Sequence, residues 1–233
     1  MKVKHYLAAA VLLLTMATAA QAADDKPMVS YTTADGTPHD PIDFTNLIDV
    51  TSTGMLVDAV TLTATGTWTY NQLNGLCYAL RPTGGNTNTE NATLVTADLS
   101  GAVCSGSTIC NMSGLFRSCT ALTTVRLGSG MKTIGEYAFY KCSRLFYHCK
   151  ALKSVTNLDK FTNVSSFYNA FNGCEALQGV TLPEGSSADD TDFSSAFSGC
   201  KALKGITNLD KFAKASDFAS TFRDCEALTD VTL

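Results

Sequence analysis

The sequence predicts an α/β repeat solenoid, with a curved parallel sheet of about seven short strands and short helical or irregular returns. Two observations carry the prediction. The phrase FNGCEALQGVTL, Phe171 to Leu182, returns at nearly constant spacing as FRSCTALTTVRL from Phe116, FYHCKALKSVTN from Phe146, FSGCKALKGITN from Phe197 and FRDCEALTDVTL from Phe222. Periods of 20 to 50 residues are the mark of stacked architectures. Each copy also holds a strand-sized apolar pattern, Leu-x-x-Val-x-Leu, that is too small to bury its own side chains and needs neighbouring copies to cover them.

Phe, Cys, Leu and Val or Ile recur in register, and so the chain resembles bacterial surface leucine-rich repeats of the BspA-like type, whose units read roughly AFxxCxxLxxVxLP before a variable return. The resemblance runs from about Leu94 to Leu233, and more faintly from Val57. It implies a leucine-rich-repeat horseshoe with one short parallel strand per unit. It also implies a protein displayed on a cell surface to contact host or neighbouring molecules, usually through the concave sheet.

Taken in order, residues 1–22 read as a secretory leader. Lys2 and Lys4 precede an apolar run from Leu7 to Ala17, and Ala20-Gln21-Ala22 offers a small-x-small cleavage site. The run is short for a membrane span, so no transmembrane anchor is expected after leader removal. Residues 23–56 form a polar lead-in with Pro27, Pro38 and Pro41; Ile42, Phe44, Leu47 and Ile48 are expected to dock on the first coil and cap the solenoid.

Residues 57–115 are read as two irregular coils. Val57-x-x-Val60-x-Leu62 is the first strand. Leu73, Leu76, Cys77 and Leu80 make one helical stripe at about 70–80 that stops at Pro82. Pro82 to Asn91 is turn chemistry, and Leu94-x-x-Ala97-x-Leu99 repeats the strand pattern. Residues 116–233 hold the regular units, the last incomplete. Phe139 to Cys142 and Phe146 to Cys149 are seven residues apart, a spacing that keeps them in helical phase, so one longer helix is expected from about Gly135 to Lys150.

Charge excludes some functions. Without Lys2 and Lys4 the chain holds 15 basic and 21 acidic residues, a formal charge of −6. The basic residues are scattered among acidic ones, so no nucleic-acid partner is expected. The nine cysteines all follow the leader. Cys119, Cys149, Cys174, Cys200 and Cys225 belong to the phrase and sit roughly 5 Å apart in adjacent coils, close enough for disulfides. A buried thiol ladder is the favoured reading, because cysteine also serves as a small core residue. A loop disulfide between Cys104 and Cys110 is a separate option.

Catalytic constellations are sparse, and no enzyme, cofactor or metal is expected. His39 and His148 are read as structural or exposed. Zinc at Cys142, His148 and Cys149 and calcium at Asp189, Asp190 and Asp192 are both disfavoured against core packing and a solvated acidic turn. Asn91, Asn111 and Asn163 satisfy N-x-S/T but are treated as turn residues. Tyr140, Tyr147 and Tyr168 are candidates for contact on the returns, against core packing.

The informative set is geometric. In Leu-x-x-Val-x-Leu the apolar residues point inward, so the residue between Val and the last Leu faces out. Read this way, the outward column is Thr61, Asp98, Arg126, Thr156, Thr181, Thr207 and Thr232, flanked by Ala59, Thr96, Thr124, Ser154, Gly179, Gly205 and Asp230. The candidate concave binding face is Asp98, Thr124, Arg126, Ser154, Thr156, Thr181, Thr207 and Thr232. A threonine column also simply makes a good sheet.

The expected function is that of an exported protein at the bacterial cell surface, in the periplasm or outside the cell, contacting a protein or glycan on a host or neighbouring cell. The alternative is a structural spacer, an assembly module or a fragment of a larger surface protein. The pattern stops at Leu233 without a return segment, so end-to-end self-association through an uncapped terminal coil is a further expectation.

Overall fold

The structure is a computed structural model that describes residues 26–47, 54–81, 90–104, 112–128, 144–161, 164–184, 191–215, 217–229 and 231. The leader, Ile48, Cys110, Asn111, Tyr140, Cys142, Asn163, Asp189, Asp190, Asp230 and Thr232 lie outside the described residues.

The lead-in forms a hairpin where the sequence reading had only an extended segment. Strands β1 (Met28–Thr32) and β2 (Pro38–Asp43) pair antiparallel. The turn between them uses Gly36 at φ +81°, and Asp35 Oδ1 accepts from the Thr37 amide at 3.0 Å. Asp-Gly between two short runs is a hairpin signal. Pro38 and Pro41 are tolerated because β2 is the outermost strand, where a missing N–H breaks no ladder. Strand β1 then pairs antiparallel with β3 (Thr61–Trp68), so the hairpin covers the first edge of the parallel array. Phe44 is fully buried beside Trp68, ring centroids 5.4 Å apart, and Ile42 and Leu47 pack on the same core.

Helix α1 (Tyr70–Ala79) opens on a capping box. The Thr69 hydroxyl accepts from the Gln72 amide, and Gln72 Oε1 accepts from the Thr69 amide at 2.8 Å. The chain returns as β4 (Thr96–Cys104), parallel to β3, followed by β5 (Thr124–Arg126) and β6 (Ser154–Thr156), also parallel. The sheet order is β2-β1-β3-β4-β5-β6.

Two features of the sheet differ from the sequence reading. Thr61 pairs with Thr96 and Thr63 with Asp98, two residues away from the expected alignment. Leu62, Ala64 and Trp68 are the buried residues of β3. A two-residue shift preserves which side chains face inward, so apolar periodicity cannot detect it. The expected single sheet of about seven strands is also interrupted. Strands β7 (Gly179–Thr181) and β8 (Gly205–Thr207) form their own parallel pair. The Lys153 amide bonds to the Thr123 carbonyl at 2.8 Å and the Lys204 amide to Gln178 at 2.9 Å, but no such bond joins Gln178 to Lys153. The fold is thus a solenoid-like stack with a mostly parallel, open sheet that has a seam between β6 and β7.

On the returns the coils are continuous. The Arg144, Phe146 and His148 amides bond to the Tyr168, Ala170 and Asn172 carbonyls at 2.7 to 2.8 Å, and later coils repeat the arrangement. Phe116, Phe146, Phe171, Phe197 and Phe222 stack in file, with centroid spacings of 5.8, 5.3, 5.3 and 6.3 Å. Each phrase has left-handed backbone two residues before and two after its Phe. The first position holds Gly114, Arg144, Asn169, Ser195 and Ser220; the second holds Ser118, His148, Gly173, Gly199 and Asp224.

This corrects the expected helix from Gly135 to Lys150. Within its described part, residues 144–148 form turns, and φ of +56° at Arg144 and +58° at His148 cannot belong to a right-handed helix. Phe146 and Cys149 take the phrase positions of the neighbouring coils. The remainder, 135–143, lies outside the described residues.

Candidate binding face

Strand alternation places the outward side chains. Val125 and Val180 point into the core, while Thr124, Arg126, Ser154, Thr156, Thr181 and Thr207 are exposed and Asp98 is half-buried. Asp98, Arg126 and Thr156 stand in register on adjacent strands, as do Thr124 and Ser154. Thr63 heads the first row, and Thr61 falls in the second with Thr96, Thr124 and Ser154. Thr181 and Thr207 are register partners across the seam from this group. Thr232 lies outside the described residues. The structure thus brings Asp98, Thr124, Arg126, Ser154 and Thr156 onto one sheet, and Thr181 with Thr207 onto the other.

Among the described residues of these rows, charge is limited to Arg126 and Asp98, whose Nη1 and Oδ2 are 4.0 Å apart. Asp98 Oδ1 also accepts from the Ser100 amide at 2.7 Å. Beyond them a depression of about 500 Å³ lies at the seam, lined by Ser154, Gln178, Gly179, Thr181, Gly205 and Thr207 over Val155, Val180 and Ile206. No charged side chain lines it. A β-carbon on Gly205 would meet nothing within 4 Å, and on Gly179 would only reach ordinary contact with the Gly205 carbonyl at 3.6 Å. Backbone conformation does not require these glycines; their effect is to leave the floor open. Sequence reading placed both beside the column without recognising that hollow, because its walls come from three strands.

The cysteines form a ladder of free thiols. Cys149, Cys174, Cys200 and Cys225 donate to the carbonyls of Phe116, Phe146, Phe171 and Phe197, at 2.9 to 3.1 Å. Burial pushes the Cys119, Cys149, Cys174 and Cys200 thiols far up, which makes them unreactive at neutral pH. Cys104 is disulfide-bonded, and its partner is not one of the other six described cysteines, which are free.

The remaining candidates have structural duties. His39 stacks on Tyr31 at 4.5 Å and sits 3.3 Å from the Thr33 hydroxyl. His148 stacks on Tyr147 at 4.0 Å, and burial, with Lys150 and Arg117 nearby, lowers its pKa. Asp192 Oδ1 accepts from the Ser194 amide at 2.8 Å and from its hydroxyl at 2.6 Å, closing a turn. Asn91 is buried, donating to the Leu80 carbonyl and accepting from the Thr93 and Leu94 amides. Among the described residues, no group of three His, Cys, Asp or Glu is placed to hold a metal ion, and no helix is long and apolar enough to cross a membrane.

No curated protein and no solved structure matches the chain. The family model for the BspA type leucine rich repeat region matches residues 105–145 and 143–233, in six copies. The two matches meet where the sequence spacing breaks, between the paired Phe-Tyr-x-Cys segments. They take in more than half of the chain, which belongs to the BspA-type leucine-rich-repeat family.

Proposed function

We propose that this is an exported, cell-surface or secreted adhesion protein, which holds a protein or glycan of a host or neighbouring cell on the concave strand face of a horseshoe. Family membership supports a surface interaction module, a class that is typically non-enzymatic. The observation that carries the reading is the open, uncharged hollow at the seam, ringed by Ser154, Gln178, Thr181 and Thr207. Hydroxyl and amide groups on a rigid sheet offer donors and acceptors without the cost of stripping water from ions. The test is binding of the mature chain to an array of matrix proteins and glycans, beside a variant carrying Arg126→Glu, Thr156→Glu, Thr181→Glu and Thr207→Glu. Binding lost in the variant supports the face; binding retained by a folded variant moves the site elsewhere.

One observation favours a second reading, assembly through the last described coil. Phe218, Phe222, Cys225 and Leu228 are only partly buried, whereas their counterparts Phe193, Phe197, Cys200 and Leu203 are fully buried. A second copy stacked there would cover them. Concentration-dependent dimerisation in sedimentation, lost in Leu228→Glu, supports this; a monomer at all concentrations removes it.

A further inference from the structure

The turns that precede the strands carry a second arrangement. Arg81, at the end of α1, lies over the Tyr78 ring at 5.1 Å; Arg117 lies over Tyr147 of the next coil at 5.2 Å; Arg144 lies over Tyr168 of the coil after that at 5.4 Å. A thiol contact and two backbone hydrogen bonds tie the three pairs together from coil to coil. Arg81 Nη2 touches Cys77 Sγ at 3.1 Å, and that thiol donates to the Gly114 carbonyl, three residues before Arg117. The Ser118 amide bonds to the Tyr147 carbonyl at 2.7 Å, and the Arg144 amide to Tyr168 at 2.8 Å. The Arg144 side is open: Arg144 is exposed, and Tyr168 is 37% exposed.

Guanidiniums on consecutive coils repel one another, and the described acids near them, Glu90 and Glu175, are already engaged. Glu90 pairs with Lys150 at 3.1 Å and Glu175 with Lys201 at 2.8 Å, while neither Arg81 nor Arg144 has a carboxylate partner among the described residues. Burial and the nearby Arg144 both lower the Arg117 pKa. In a chain of net negative charge this is a local basic stripe, stiffened by its rings.

We propose that the Arg81–Arg117–Arg144 stripe, with Tyr168, binds an anionic polysaccharide. Guanidinium forks match sulfate or carboxylate oxygens, and the exposed Tyr168 ring offers an apolar surface to the C–H face of a sugar ring; Tyr147, covered by Arg117 and His148, positions Arg117. An acidic polypeptide would use the arginines and leave the Tyr168 ring idle. The stripe is separate from the strand face, so either site can fail without the other.

The test uses the mature chain and dextran sulfate as probe, with uncharged dextran and polyglutamate for comparison. Binding to dextran sulfate but not dextran is expected. The double variant Arg81→Gln, Arg144→Gln should weaken it at least tenfold and flatten its dependence on log salt by about two units. Tyr168→Leu, which leaves every charge in place, should weaken it about threefold, while Lys201→Gln should bind as the parent does. No binding to dextran sulfate, or equal binding by the arginine double variant, overturns the proposal. Polyglutamate held as tightly, or Tyr168→Leu binding unchanged, overturns the assignment to a sugar polymer.

Discussion

The His148 ring lies over the backbone of Gly173: a β-carbon on Gly173 would fall 2.6 Å from His148 Cδ2. Both residues occupy the same left-handed position of consecutive phrases, at φ +58° and +74°. Glycine at 173 is therefore favoured by its own backbone, which other phrases hold with Ser118, His148 or Asp224, and demanded by the neighbouring ring.

Gly173→Ala should cost about 1–3 kcal/mol of unfolding free energy, from left-handed strain and the clash together. In a His148→Gly background the same change should cost about 1 kcal/mol less, because only the strain remains. Urea unfolding of the two singles and the double gives this coupling; strictly additive losses would show that the ring moves aside freely.

The buried thiols give stability a direction with pH. Cys119, Cys149, Cys174 and Cys200 have folded pKa values raised by burial, whereas in the unfolded chain thiols titrate near ~8.5. Their contribution is complete below that value and declines as pH rises, since the unfolded chain then sheds protons that the folded chain keeps. The decline is about 1.4 kcal/mol per pH unit for each thiol. Urea midpoints measured from pH 7 to 10 should fall, and fall less steeply in Cys174→Ala; matching slopes would contradict the account.

The same thiols should differ in reactivity along the stack. Cys225 is half-buried, while Cys149 and Cys174 are fully buried. Iodoacetamide at pH 8 should label Cys225 first, with Cys149 and Cys174 protected until the stack opens. Mass spectrometry of timed digests reads the order directly.

Asn157 is left-handed at φ +67° and its Nδ2 donates to the Leu127 carbonyl of the previous coil at 2.7 Å; Asn208 repeats this toward Leu182 at 2.9 Å. Asn157→Ala should lose about 1–2 kcal/mol through strain and the orphaned carbonyl. Asn157→Gly should lose less, because glycine removes the bond and not the conformation. Equal losses in thermal unfolding would assign the whole effect to the bond.

The Arg126–Asp98 pair is largely solvent-exposed on the arginine side and long, at 4.0 Å. Arg126→Ala or Arg126→Gln should alter stability by less than about 1 kcal/mol, whereas Asp98→Ala would also remove the acceptor of the Ser100 amide. The Arg126 variants therefore keep the fold while altering the candidate face, and circular dichroism melts check it before any binding assay.

Legibility differed between fold and site. The stack was readable because Phe116, Phe146, Phe171, Phe197 and Phe222 recur in phase with their cysteines, and the units from Phe116 to Phe197 repeat the same burial. The outward residues Arg126, Thr156, Thr181 and Thr207 followed from alternation within a strand. The hollow did not, because its walls belong to β6, β7 and β8, whose separation no single repeat encodes. The arginine stripe escaped for a similar reason: Arg81, Arg117 and Arg144 occupy different positions of their units and meet only when the coils stack.

By itself, the sequence determined the unit of this protein: which residues of each phrase go inside, the thiol and phenylalanine files, helix α1, and membership of a stacked fold. These are local or periodic properties, set by side-chain burial and spacing. Tertiary structure decided the two-residue register of β3, the hairpin laid on its free edge, the seam between β6 and β7, and the replacement of a helix by left-handed turns at Arg144 and His148. Each depends on hydrogen bonding between segments about 25 to 37 residues apart, and a pattern that repeats every second residue is blind to shifts of two.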